Sequence, residues 1–422
     1  MRSGLQVINP KRNNELAGKK PHWYNYYAGY SHSFTYELIR SANLNPDALI
    51  LDPWNGSGTT TLAASMLGMH SIGIDLNPVM KVIANAKQAT SFDLPEIERR
   101  VRTIRSNRQC RSQNDDPLSD WLTEQSISIV RKIESSITDN TSSALTRNKV
   151  DSLNKAQCLM YTALFNCLRL YLEEFIPSNP TWIKKPKSGC DKVELEWKSF
   201  RTQYLLQLRK MIDSIKSSYS SIDDDLAKLI IASSSQIPLE DKVVDLVITS
   251  PPYCTRIDYG VATSPELSII SVGGAEEVDK IRRSLMGTTT VPKVSDSLSD
   301  DFGPACMEFL QNVEQHPSKA SSTYYLKNYL QYFSDLRTSI NEVYRVMKEN
   351  AYFVCVVQDS FYKDVHCDLA SIISDMAHLS GLVLNDVHHF ESKQNMANLN
   401  NKSKVYRSKT LAVETVLIFK RA

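Results

Sequence analysis

Two short stretches of this chain hold residue types at spacings that could do chemistry. One is Thr249-Ser250-Pro251-Pro252-Tyr253, directly after the apolar run from Val243 to Ile248. An exocyclic amine on a heteroaromatic ring is a poor nucleophile, because its lone pair is delocalised into the ring. A site that activates it must accept the N–H hydrogens and let the nitrogen pyramidalise. The Ser250 side chain and the Pro251 carbonyl can accept them, and the Pro-Pro unit fixes φ so that the acceptors are held in advance. Tyr253 can stack on the flat ring. The other stretch is Asp52-Pro53-Trp54-Asn55-Gly56-Ser57-Gly58-Thr59-Thr60, after Leu49-Ile50-Leu51. A glycine-rich turn between strand and helix lets the backbone approach a ligand, and the helix start offers free N–H groups. Asp75, in Asp75-Leu76-Asn77-Pro78 at the end of a second apolar run, is placed to accept hydrogen bonds from ribose hydroxyls. A phosphate loop is disfavoured: no Gly-Lys-Ser/Thr follows, and two carboxylates would repel phosphate.

Together these stretches resemble the DNA amino-methyltransferases, which methylate N4 of cytosine or N6 of adenine with S-adenosylmethionine. That family's cofactor strand commonly reads Asp-Pro-Phe-x-Gly-Ser-Gly-Thr-Thr, and Trp54 stands here at the aromatic position. The resemblance implies S-adenosyl-L-methionine as cofactor. It would be held by Asp52, Pro53, Trp54, Gly56, Ser57, Gly58, Thr59, Thr60, Asp75, Leu76 and Asn77, with Asp52 towards the methionine amine. The segment Asn25–Phe34 is similar to the one that covers the methionine end, which adds Tyr27, Ser33 and Phe34, although the Lys-Pro pair of many relatives is missing.

The same resemblance makes Ser250, Pro251, Pro252 and Tyr253 catalytic residues acting on a base swung out of double-stranded DNA. A cognate restriction endonuclease or defence-system partner would accompany them. Loops with serine in the first position occur mostly with N4-cytosine specificity, so cytosine is favoured over adenine. Ser233-Ser234-Ser235 stands where relatives often carry an acidic residue near the cofactor adenine. The cofactor stretch precedes the catalytic one, the reverse of many enzymes with this loop. Methylation at C5 of cytosine is disfavoured, since it needs an attacking cysteine, usually after proline, and the chain has no Pro-Cys pair. Two other readings stay open. An RNA guanine-N2 methyltransferase shares the order and a Pro-Pro-aromatic loop, usually with Asp or Asn before Pro-Pro. A cofactor-binding regulator without catalysis would have little use for intact Ser250 and Tyr253.

The elements that must position these residues follow an α/β logic. Strands are expected over Ala48–Asp52 and Ser71–Ile74, with helices over Phe34–Ile39, Thr60–Leu67 and Val79–Lys87. This is the start of a doubly wound, Rossmann-like methyltransferase sheet. Residues 1–92 form the N-terminal arm and cofactor half. Residues 93–228 read as a helical insertion, with amphipathic stretches over Trp121–Ile133, Lys155–Phe175 and Glu196–Ile215, and this insertion is the candidate target-recognition region. Residues 229–422 form the catalytic half, with a loop-rich excursion expected over 262–322. It closes with helices over Tyr325–Met347 and Leu369–Leu379 and strands over Tyr352–Gln358, Val383–His389 and Leu411–Phe419.

The chain has 422 residues and a net charge of +2, so its overall charge says little about partners. Basic runs do: Arg99, Arg100, Arg102, Arg105, Arg108 and Arg111; Lys184, Lys185 and Lys187 beside Asn179-Pro180-Thr181-Trp182; and Lys402, Lys404, Arg407 and Lys409. At least one is expected to line a DNA cleft. Eight cysteines without a CxxC pair read as reduced thiols, and no His/Cys group has zinc spacing, so no metal is expected. Without a signal-like or membrane-spanning stretch, a cytoplasmic location is the consistent expectation.

Overall fold

The computed structural model describes residues 4–11, 19–25, 29–110, 115–138, 146–177, 181–217, 226–254, 257–291, 300–392 and 412–422. Tyr27, Arg111, Asn179, Pro180, Lys402, Lys404, Arg407 and Lys409 lie outside the described residues.

The first half runs α1 (His32–Ser41), β1 (Leu49–Asp52), α2 (Thr59–Met66), β2 (His70–Ile74) and α3 (Pro78–Lys87). Helices α4 (Leu94–Val101), α5 (Glu124–Ile137), α6 (Thr146–Asp151), α7 (Lys155–Tyr171) and α8 (Trp197–Lys216) follow. Then come β3 (Ala227–Ile230), β4 (Val244–Thr249), α9 (Tyr259–Ala262), α10 (Ser264–Ile270), α11 (Gly274–Ser284) and α12 (Pro304–Gln315). The chain closes with α13 (Leu326–Val346), β5 (Met347–Gln358), the hairpin β6 (Ser360–Tyr362) and β7 (Val365–Cys367), α14 (Leu369–Leu379), β8 (Leu382–Ser392) and β9 (Ala412–Arg421).

Helix starts follow side-chain capping of exposed N–H groups. Ser31 accepts from Phe34 N, Asn77 from Val79 N ahead of Pro78, and Asp258 from Val261 N. The excursion over 262–322 is not loop-rich: α10, α11 and α12 occupy much of it. Its Gly, Ser and Thr content concealed local helix signals. Pro265 and Pro304 sit in first turns, and Cys306, Phe309, Leu310 and Val313 repeat at helical spacing on a buried face.

The seven-stranded sheet has the order β3-β2-β1-β4-β5-β9-β8. Strands β3, β2, β1, β4 and β5 are parallel, while β9 runs antiparallel to both β5 and β8. Strand order reverses direction between β1 and β4, so the loops leaving their carboxyl ends flank the crevice where doubly wound folds bind ligands. One face packs on α1 and α2, through Phe34, Leu38, Ala63 and Ala64 against Ile50, Leu246, Ile248 and Val354. The other packs on α12, α13 and α14. Helices α4 to α8 form a further layer whose apolar residues join those of α3 and α10 in one cluster.

That layer is bolted to the segment that follows the Ser250 loop. Arg131 on α5 is buried, pairs with Asp116 at 2.7 Å and Glu134 at 2.6 Å, and donates to the carbonyls of Ser268 and Ile269 on α10. Arg169 on α7 pairs with buried Glu266 at 2.6 Å. Breaking such a buried pair costs about 3–5 kcal/mol, so α10 has little freedom to move against the helical layer.

Candidate active site

The turn after β1 is built from backbone bends and one saturated carboxylate. Gly56 has φ +48°, and Gly58 has φ +81° at the start of α2, where a Cβ would stand 2.7 Å from Ala84 Cβ. Only glycine fits there. Asp52 is buried. Its Oδ2 accepts from Tyr30 Oη at 2.9 Å and Thr60 Oγ1 at 2.6 Å, and its Oδ1 from Thr249 Oγ1 at 2.6 Å and Trp54 N at 3.1 Å. Burial pushes its pKa up, and these donors oppose the shift. Each oxygen thus already carries two donors, and Asp52 ties together β1, β4, α2 and the segment before α1.

Asp75 is placed differently. Its Oδ2 accepts from Gly56 N at 3.0 Å and its Oδ1 from Asn77 N at 2.8 Å, one backbone donor each. A carboxylate oxygen can take two, so each keeps a further acceptor position. Burial pushes this carboxyl up to about 7, with the two N–H donors pulling the other way. Asn77 is spent on structure: its Oδ1 caps α3, and its Nδ2 donates to Thr263 Oγ1 at 2.9 Å.

A cleft of about 1220 Å³, its open mouth included, joins the two loops. Pro53, Trp54, Gly56, Ser57, Thr59, Leu76 and Asn77 line it with Asp52 and Asp75, as do Ser250, Pro251, Pro252 and Tyr253 from across the switch point. Four expected cofactor residues sit behind this surface instead. Phe34 is fully buried in the core, Ser33 bonds to Ser31, Gly58 is packed under Ala84, and Thr60 is held by Asp52. The far wall combines Leu285 and Met286 with the loop after β3 and with Asp335 and Ser339 of α13. The serine triplet is bonded within itself and to α13, Ser233 to Ser235 at 2.7 Å and Ser234 to Ser339 at 2.9 Å. A floor of glycine turns, a carboxylate with spare acceptor positions and the apolar side chains of Leu285 and Met286 together fit an adenosine-like group.

The Ser250 loop is held by its backbone from two directions. Tyr253 N donates to Tyr259 Oη at 2.9 Å, and Tyr332 Oη on α13 donates to the Pro252 carbonyl at 2.7 Å. Neither bond uses the Ser250 hydroxyl or the Pro251 carbonyl. Sequence reasoning missed Tyr30, Thr249, Tyr259 and Tyr332. Thr249 and Tyr259 flank the loop in sequence and Tyr30 lies in the segment already singled out, but Tyr332 carries no local signal.

Of the basic run over 99–111, Arg100 is buried against Glu96 and the Ile137 carbonyl, and Arg108 is bound to Ser135. These two serve the fold. Arg99, Arg102 and Arg105 are exposed, as are Lys184, Lys185 and Lys187 beside Trp182.

A mostly parallel sheet with a glycine turn, a carboxylate with spare acceptor positions and a serine-headed Pro-Pro-Tyr loop at its switch point makes this a Rossmann-like α/β protein. Residues 8–86 and 244–422, more than half of the chain, match the DNA methylase family of the N6/N4 type, and the chain belongs to it. The unmatched middle contains α4 to α8 and β3. Among curated relatives, Type II methyltransferase M.BsoBI of Geobacillus stearothermophilus is 27% identical over 299 residues, 64% of this chain and 56% of that protein. The match thus spans little over half of that relative. M.AvaI of Nostoc sp. is 23% identical over 382 residues, 84% of this chain and 77% of the relative. M.MvaI of Kocuria varians is 21% identical, with 88% of both chains covered. Among solved structures, the YcgJ protein from Bacillus subtilis overlaps with a TM-score of 0.35 at 10% identity, covering 93% of this chain and all of that one. An overlap that weak adds nothing to the strand order above, on which the fold rests. Among the described residues no helix is long and apolar enough to cross a membrane.

Proposed function

We propose that this protein methylates DNA at the exocyclic amine of a flipped base, N4 of cytosine in preference to N6 of adenine, as the modifying half of a restriction-modification or defence system. The observation that carries this is the position of Ser250 and Tyr253 across one cleft from Asp75, with the loop clamped and, among the described residues, no partner taking up the Ser250 hydroxyl. S-adenosylmethionine, when bound, supplies a methyl group on a sulfonium sulfur. Asp75 would accept from its ribose hydroxyls, the Gly56 turn would let the backbone approach it, and Leu285 and Met286 would offer its adenine apolar contact. The Ser250 hydroxyl and Pro251 carbonyl accept the amine hydrogens, which localises the nitrogen lone pair and points it at the cofactor. Tyr253 stacks on the base and replaces the stacking lost on extrusion. The exposed Lys184, Lys185 and Lys187 beside Trp182 and the exposed arginines of the 99–111 run supply candidate phosphate contacts.

The test is mass spectrometry of nucleosides from DNA incubated with the protein and S-adenosylmethionine. N4-methylcytosine is expected. N6-methyladenine would move the specificity to the alternative, and 5-methylcytosine would overturn the mechanism. Ser250→Ala should lose methyl transfer by about tenfold or more while cofactor affinity stays unchanged.

A further inference from the structure

One residue step beyond Ser250, the sheet carries a row of side chains that neither the cofactor wall nor the catalytic loop uses. Ile248 of β4 stands opposite Val354 of β5, which stands opposite Ile418 of β9. Gln358 at the end of β5 faces Glu414 of β9, and Glu414 faces Phe390 of β8. Side chains alternate along a strand and directly paired residues share a face. Ile248, Val354, Val356, Val416 and Ile418 all belong to one core cluster, against which Phe390 packs. Continuing the alternation puts Ser250, Gln358 and Glu414 on that same face at the carboxyl edge of the sheet, where Glu414 acts on Tyr253 of the cleft wall.

Glu414 is half-buried, and among the described residues no hydrogen-bond donor reaches its carboxylate. Lys11 of the N-terminal segment is its one opposing charge of consequence, and its own charge is felt at the Tyr253 phenol. Burial pushes the carboxyl up to about 7. A desolvated acid without a donor costs stability, and unexplained costs of that kind gather at functional sites.

We infer that Glu414, with Gln358 beside it, reads the edge of the flipped base next to the amine that Ser250 activates. Cytosine and adenine each present a ring-nitrogen acceptor beside that amine. A neutral carboxyl donates to the ring nitrogen, an ionised one accepts from the amine, and the Gln358 carboxamide can do either. This rests on the methyltransferase reading above, and deepens it by naming the groups that hold the base edge.

The experiment compares full-length wild type, Glu414→Ala and Glu414→Gln for thermal midpoint, S-adenosylmethionine affinity and steady-state methylation of unmodified genomic DNA. Glu414→Ala should melt at the same temperature or higher, bind cofactor as wild type does, and lose about tenfold or more in kcat/KM for DNA. Glu414→Gln, which still donates and accepts, should lose less. A lowered midpoint in both variants would make Glu414 a structural residue and overturn the inference, as would unchanged kcat/KM in Glu414→Ala. Absence of any methylation by wild type would overturn the methyltransferase reading and this inference with it, so the two failures are distinguishable.

Discussion

The loops that leave β1 and β4 face each other across one cleft but are immobilised by opposite means. The β1 loop is fixed from within, by filling the acceptor positions of Asp52 with donors from four places in the chain. The β4 loop is fixed from outside, by two tyrosines that grip its backbone and leave the acceptors of Ser250 and Pro251 open. A loop that must cradle a ligand can spend its side chains on rigidity, because its backbone does the binding. A loop that must act on an amine cannot, so its rigidity is supplied by neighbours. Asp75 stands between these extremes, with half of its acceptor capacity used.

The sharpest way to break this contrast is Asp52→Ala. It leaves the Tyr30, Thr60 and Thr249 hydroxyls and the Trp54 N–H without their shared acceptor in a buried site. The Tyr30 and Thr60 hydroxyls keep each other and the Ile248 carbonyl, so two groups are stranded, each at about 1–3 kcal/mol, and the whole loss should reach about 3–5 kcal/mol, as for other broken buried networks. Denaturant unfolding measures it. A loss below about 1 kcal/mol would show that the β1 loop is not held from within.

A smaller effect is expected from Tyr332→Phe, which removes only the hydroxyl that grips the Pro252 carbonyl. The bond is worth about 1 kcal/mol of stability, so unfolding should register a loss of about that size and methyl transfer should slow by up to roughly fivefold, with cofactor affinity untouched. Equal loss of cofactor affinity would mean that the two loops are one rigid unit, and the distinction between them would fall.

This contrast also sets what could be read from the residues alone. Gly56, Gly58, Asp75 and the Ser250 loop announce themselves because their constraints are local: a left-handed turn, a strand end, two fixed φ angles. The strands from Leu49 and Ser71 and the helices from Lys155 and Leu369 were legible by periodicity. Tyr332 was not, because it lies 80 residues from its partner and resembles any other aromatic residue on a buried helix face. The internal saturation of Asp52 was equally hidden, since its donors come from positions 30, 54, 60 and 249. The 262–322 region was misread because composition outweighed its proline starts and short helical repeats. The burial of Arg100 is a related case: in a basic run offered as a candidate DNA-cleft lining, the fold turns one member inward.

The smallest effect concerns Asp75, and its sign separates binding from stability. Burial holds this carboxyl at about 7 in the free protein, above its ordinary value of 3.8. A raised carboxylate pKa means that the folded state binds the extra proton, so this group's contribution to stability is greatest at acid pH and is lost as pH rises through 7. Ribose hydroxyls donate best to the ionised form, so cofactor affinity should move the other way. Between pH 8 and 6.5 the ionised fraction falls enough to weaken S-adenosylmethionine binding by about fourfold. Titration calorimetry across that range should show the decline for wild type, with proton release on binding near pH 7. Asp75→Asn should flatten the pH dependence, because its carboxamide does not titrate, and should bind more weakly throughout. A decline of the same size in Asp75→Asn would place the titrating group elsewhere, and with it the ribose.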